Sequence, residues 1–135
     1  MQRFLVVMVG LLLLANMTVF AQDESVPVQS LNGVSYATGG IGSEEVETLK
    51  TMESQFNLKV VSAHKDSEYS GNIALIIRDK SGKQMLNITT NGPLFYAKLP
   101  AGDYVVEAVL EQQRFERKLH IGKTEKLQTV YFTWK

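Results

Sequence analysis

The sequence predicts an all-β sandwich carrying one N-terminal α-helix, and three observations lead there. From residue 58 onward apolar and polar residues alternate with a period of two, the mark of strands with one face in a core. Turn signals recur about every eight to twelve residues, the beat of short strands in a sandwich. Only residues 43–56 have helical spacing, with Val46, Leu49, Met52 and Phe56 on one side. One helix ahead of many strands argues against βαβ units and a parallel sheet.

The elements follow in order. VSYAT is extended and runs into Gly39, Gly40, Ile41 and Gly42; Ser43 then offers a helix cap, and Glu44, Glu45 and Glu47 suit the positive end of the helix dipole. After Asn57 come LKVVSAH and NIALIIRD, in which Ile73, Leu75 and Ile77 point one way. The turn KSGK leads to QMLNITT, and Asn91, Gly92 and Pro93 turn the chain into LFYAKL. Residues 99–121 are the most legible. Pro100 and Gly102 reverse the chain, then Tyr104, Val106, Ala108 and Leu110 fall on a dry face and Asp103, Val105, Glu107, Val109 and Glu111 on the other. Beyond a polar turn at Gln112 and Gln113, Phe115, Leu119 and Ile121 oppose Arg114, Glu116, Lys118 and His120. In the closing LQTVYFTWK, Val130, Phe132 and Trp134 share a face, so the last strand is expected to dock in the core.

Ahead of the domain, Arg3 precedes an apolar run from Phe4 to Leu14, and Val19 and Ala21 fit a processing site. Residues 1–21 are therefore expected to be a secretory signal peptide. The run falls short of the roughly 18 to 20 apolar residues that span a bilayer, which disfavours a retained anchor. Residues 22–34 lack a period and are expected to be a flexible leader, leaving residues 35–135 as a single domain. The chain has 135 residues and no cysteine, so it forms no disulfide and carries no lipid-anchoring cysteine. A Gram-negative periplasm is the expected address, with full secretion as the alternative and no membrane insertion after cleavage. Its 14 basic and 14 acidic side chains balance, which supplies no attraction to nucleic acid or an anionic membrane.

Candidates for chemistry are few. His64, Asp66 and Glu68 alternate, so an extended loop would present a nitrogen and two carboxylates on one side. They are candidate ligands for a metal, calcium before zinc, and the candidate composite site of a small hydrolase; a solvated loop is the competing reading. The histidines are His64 and His120, neither beside a GxSxG elbow, and His120 reads as a solvated surface residue. GGIGS at residues 39–43 has the glycines of a phosphate loop but no following lysine. Glu44 and Glu45 put negative charge where phosphate would sit, so a tight strand-to-helix turn is expected. No catalytic residue and no cofactor is assigned. Tyr104 and Trp134 are expected in the core, whereas Tyr96 and Tyr131 alternate away from Phe95 and Phe132 and are expected at the surface. As neighbours on one sheet they would form a small platform for a ligand or partner.

NIALIIRDKSGK, NGPLFYAKLPAGDYVVEAVLEQQRFERKLHIGK and the closing YFTWK together resemble carboxypeptidase regulatory-like domains over residues 58–134. The resemblance implies a seven-stranded transthyretin-like, immunoglobulin-like β-sandwich without catalytic activity. The preceding YATGGIGSEEVETLKTMESQFNLKVVSA resembles a group of small exported proteobacterial proteins in which this sandwich stands alone behind a GGIG turn and a helix, which implies a periplasmic location and no established activity. Hydroxyisourate hydrolase, an enzyme of transthyretin-like shape, carries histidines, an arginine and a C-terminal YRGS. This chain ends in FTWK, so that activity is not carried over. The resulting expectation is a noncatalytic binding or interaction module for an envelope protein or a glycan, contacted at edge strands and at Tyr96 and Tyr131.

Overall fold

A computed structural model describes residues 26–65, 72–124 and 126–135. In chain order it contains β1 (Gln29–Leu31), β2 (Val34–Gly39), α1 (Ser43–Met52) prolonged by a 3-10 turn (Glu53–Gln55), β3 (Leu58–His64), β4 (Ala74–Asp79), β5 (Gln84–Thr89), β6 (Leu94–Lys98), β7 (Gly102–Leu110), β8 (Gln113–Ile121) and β9 (Gln128–Trp134). They form two sheets, one ordered β1-β2-β6-β3-β9 and the other β5-β4-β7-β8. The architecture is the expected all-β sandwich with one helix. Among the described residues it has nine strands rather than seven, because β1 and β2 precede the helix and join the sheet that β3, β6 and β9 build.

Period-two alternation makes the core between the sheets. Leu75 and Ile77 from β4, Phe95 from β6, Val106 and Ala108 from β7, and Phe132 and Trp134 from β9 are all buried there. Several buried polar groups are paired in place. The Trp134 Nε1–H donates to Ser62 Oγ at 2.7 Å, and the Tyr104 hydroxyl donates to the Pro100 carbonyl at 2.7 Å, closing the β6–β7 turn. Asn57 acts as a side-chain strand: its Nδ2–H donates to the Leu99 carbonyl at 2.8 Å and its Oδ1 accepts from the Leu99 amide at 2.9 Å. Its own carbonyl accepts from the Gln128 amide, so one residue ties β3, β6 and β9 together.

A second, smaller core lies on the outer face of the five-stranded sheet. There Leu49 of α1 and Phe56 pack on Ala37, Leu94 and Tyr96, with Val26 alongside. Three local expectations change. The helix is capped by Gly42 and not by the Ser43 side chain. The turn between β7 and β8 is Glu111 and Gln112, one residue earlier than expected, with Glu111 at φ 53. Residues 29–31, expected within a flexible leader, pair antiparallel with β2; so short a strand has no period to read. The four strands β1-β2-β6-β3 run antiparallel, but β9 lies parallel to β3, with Leu58 opposite Gln128 and His64 opposite Trp134. Because β9 enters from β8 in the other sheet, no hairpin dictates its direction.

The GGIG segment is shaped by backbone geometry. Gly40 and Gly42 take φ 100 and φ 85, in the left-handed region. A Cβ on Gly92 would collide with the Gly39 carbonyl, so the Asn91–Pro93 turn crosses the end of β2 only as glycine.

Candidate functional site

Strand register decides where Tyr96 and Tyr131 meet. Strand β3 is flanked by β6 and β9, and its residue Val61 lies opposite both Leu94 and Tyr131, while Lys59 lies opposite Tyr96 and Thr129. These residues form adjacent rows on one face of the sheet, the face α1 crosses. Between helix and sheet lies a cleft of about 270 Å³. Val46 and Lys50 of α1 form one wall, Val61, Leu94 and Tyr96 the floor, and Tyr131 the rim, with Lys59, Gly40 and Pro93 completing it. Beside Gly40, Ile41 is 65% exposed, as is Tyr131.

Tyr96 corrects one expectation. It points away from Phe95 as the alternation requires, yet it is fully buried, because Leu49 and Phe56 cover the face that the pattern leaves outside. Its hydroxyl donates to Glu53 Oε1 at 2.8 Å, and Lys59 Nζ donates to the same oxygen at 3.0 Å while lying 5.5 Å from the Tyr96 ring centre. The hydrogen bond from Tyr96, then that from Lys59, holds the Glu53 carboxyl below its ordinary value. Burial pushes the Tyr96 phenol up. Lys59 is thereby committed to Glu53, whereas Lys50 Nζ is only loosely held, 3.6 Å from exposed Glu47. The cleft offers an apolar floor, an accessible phenol and one lightly engaged ammonium. Such a site suits an apolar group that ends in hydroxyls or a carboxylate.

The other candidates do not converge on it. His64 closes β3 opposite Trp134, and Asp66 and Glu68 lie outside the described residues. Among the described residues no group of three His, Asp or Glu side chains is placed to hold a metal. His120 is exposed, as expected, but it is not alone: its Nδ1 lies 2.6 Å from Asp103 Oδ1. That hydrogen bond lowers the Asp103 carboxyl. The pair borders an open concavity of about 560 Å³ with Lys80, Lys118, Tyr104 and Leu119. Asp79, on the same rim, is consumed by its own turn, accepting from the Ser81 amide and hydroxyl and from the Lys83 amide. Counting outward from the Glu111–Gln112 turn sets Asp103 opposite His120, whereas the turn expected at Gln112 and Gln113 sets Asp103 opposite Gly122, so the one-residue difference in the turn hid this pair.

On the outer face of the four-stranded sheet, Glu107 is 1% exposed and held by Arg78 Nη1 at 2.6 Å and Arg114 Nη1 at 2.5 Å. The Arg78 contact is an aligned hydrogen bond to Oε2; Arg114 approaches Oε1 off the hydrogen-bonding direction, so its contribution is electrostatic. Nothing in period-two reading marks Glu107 as buried. No family model matches this chain, and no curated protein matches it in sequence.

Proposed function

We propose that the protein is an exported, noncatalytic binding module of the bacterial periplasm, of the carboxypeptidase regulatory-like kind, which recognises an envelope protein or a glycan in the cleft beneath α1. The observation that carries this reading is the cleft itself, where exposed Tyr131 stands beside Lys50 over a floor of Val61, Leu94 and Tyr96. Aromatic rings beside a small apolar pocket stack on sugar faces and on peptide side chains, and a nearby ammonium reads a carboxylate. Recognition of this kind breaks no bond in the ligand.

Glycan-array binding and pull-down from periplasmic extract, run with the wild-type protein and Tyr131→Ala, test it. Wild type is expected to retain a defined glycan or envelope protein, and Tyr131→Ala to weaken that binding by about tenfold, the effect of losing an aromatic anchor. Equal retention by both proteins removes the cleft from the proposal. Turnover of a substrate abolished by His64→Ala would replace it with the hydrolase reading.

A further inference from the structure

We propose that the free edge of β9 is a self-association surface, on which a second copy of this chain lays its own β9 antiparallel across a twofold axis at Tyr131. Four strands end a sheet, and three of them are guarded. Strand β1 has three residues. Strand β5 slips register against β4 at Ile77/Arg78, and β8 carries Arg114, Glu116, Arg117 and Lys118. Short length, irregularity and charge are the usual defences of an edge. Strand β9, with seven residues QTVYFTW, has no charge, no proline and no glycine, and its pairing with β3 runs without a register shift.

The backbone of β9 is set for a partner. The Gln128 amide donates to the Asn57 carbonyl and the Trp134 carbonyl accepts from the Lys65 amide, so residues of that parity spend their groups on the β3 side. Alternate residues Thr129, Tyr131 and Thr133 therefore aim theirs the opposite way, where no strand lies among the described residues. Lys135, of the same parity, turns its amide toward Gln113 Oε1 on β8. All three side chains are exposed.

The occupant follows from self-complementarity. With Tyr131 on the axis, each Thr129 faces Thr133 of the second copy and the two Tyr131 face each other, giving about six backbone hydrogen bonds. Threonine pairs and aromatic pairs are favourable cross-strand neighbours, and β9 brings no charged side chain of its own, the nearby Arg117 guanidinium of β8 lying over the core-facing Phe132 ring. Directly opposed side chains share a face, so the two Tyr131 rings emerge side by side on the helix-bearing face. Each cleft then gains the other copy's phenol as a wall. The association itself does not depend on any ligand.

Sedimentation of the purified protein tests it, with two variants at exposed positions. Thr129→Lys/Thr133→Lys sets lysine opposite lysine across the axis, whereas Thr129→Lys/Thr133→Glu sets lysine opposite glutamate. Wild type is expected to be dimeric at micromolar concentration, the first variant to dissociate at least about tenfold more readily, and the second to return to within about threefold of wild type. Thermal melts of all three proteins at a dilution where each sediments as a monomer are expected to coincide, which separates the association readout from folding defects. Wild type that stays monomeric through the micromolar range overturns the proposal. So does a lysine–lysine variant that dimerises as wild type does, or a lysine–glutamate variant no better than it.

Discussion

The two outer faces of the sandwich begin from similar alternating strands and end differently. On the five-stranded sheet, Tyr96 and Leu94 lie under α1, so what the pattern assigns to the outside becomes a second core. On the four-stranded sheet no helix arrives among the described residues, and the central outward residue, Glu107, is covered by the arms of Arg78 and Arg114. The first face is kept dry by a separate element; the second by flexible side chains over a charge. A covered face holds a cleft between its two layers, whereas the face closed by arginine arms is charged, and its concavity beside Asp103 and His120 lies open on one layer.

The contrast is broken most decisively at Glu107. Arg78→Ala/Arg114→Ala leaves a carboxylate at the centre of the sheet with no cation, and the loss in unfolding free energy is expected to be about 3 kcal/mol, the low end for stranding a buried charge because water gains some access. Adding Glu107→Leu to that background is expected to restore most of the loss, since a hydrophobic replacement removes the desolvation cost. Urea unfolding of the three proteins checks this; no rescue by leucine would mean that the arginines act through packing alone. The matching change on the other face is Leu49→Ala, at the single helix residue that is fully buried. About 2–3 kcal/mol is expected, the cost of a buried leucine whose surroundings relax in part. Amide exchange should quicken in α1 and β6 and stay slow in β4 and β7. Uniform acceleration would show that the two layers unfold as one unit.

Much of this architecture was legible, and the failures share a cause. Alternation placed Ile73, Leu75, Ile77, Tyr104, Phe132 and Trp134 in the core, where the structure has them. The same alternation turned Tyr96 away from Phe95 and Tyr131 away from Phe132, and β3, pairing with both β6 and β9, sets the two on one face. It left Tyr96 exposed because it carries no information about what lies on top, and the cover comes from residues far away along the chain. Glu107 was missed for a related reason: its burial depends on arginines from β4 and β8, each of which reads as an ordinary surface cation. Asp103 and His120 are the opposite case. Their pairing is local to one hairpin and follows from register alone, so only the one-residue difference in the turn, which would set Asp103 opposite Gly122, kept it from view. Strand β1 gave no signal because three residues are too few for a period, and the parallel β3–β9 pairing gave none because no turn connects those strands.

The smallest expected effect bears on the covered face itself. Tyr96→Phe keeps the ring under α1 and removes only the hydroxyl that donates to Glu53, so the expected cost near neutral pH is about 1 kcal/mol. Its pH dependence is more telling. The Glu53 carboxyl is lowered in the folded protein, so its contribution is complete above the ordinary value of 4.5 and is lost as pH falls through the lower folded value. The Tyr96 hydrogen bond is the largest cause of that lowering. The variant should therefore lose less stability than wild type on acidification below 4.5, and the two melting curves should converge. On the alkaline side the raised Tyr96 phenol contributes stability that is present below its ordinary value of 10.0 and is lost as pH climbs through the higher folded value, a decline phenylalanine cannot show. Thermal melts of both proteins across this range measure the two slopes. Parallel curves at both ends would mean that Glu53 takes its shift from Lys59 instead, and that the helix is held over the sheet by apolar contact without help from the buried phenol.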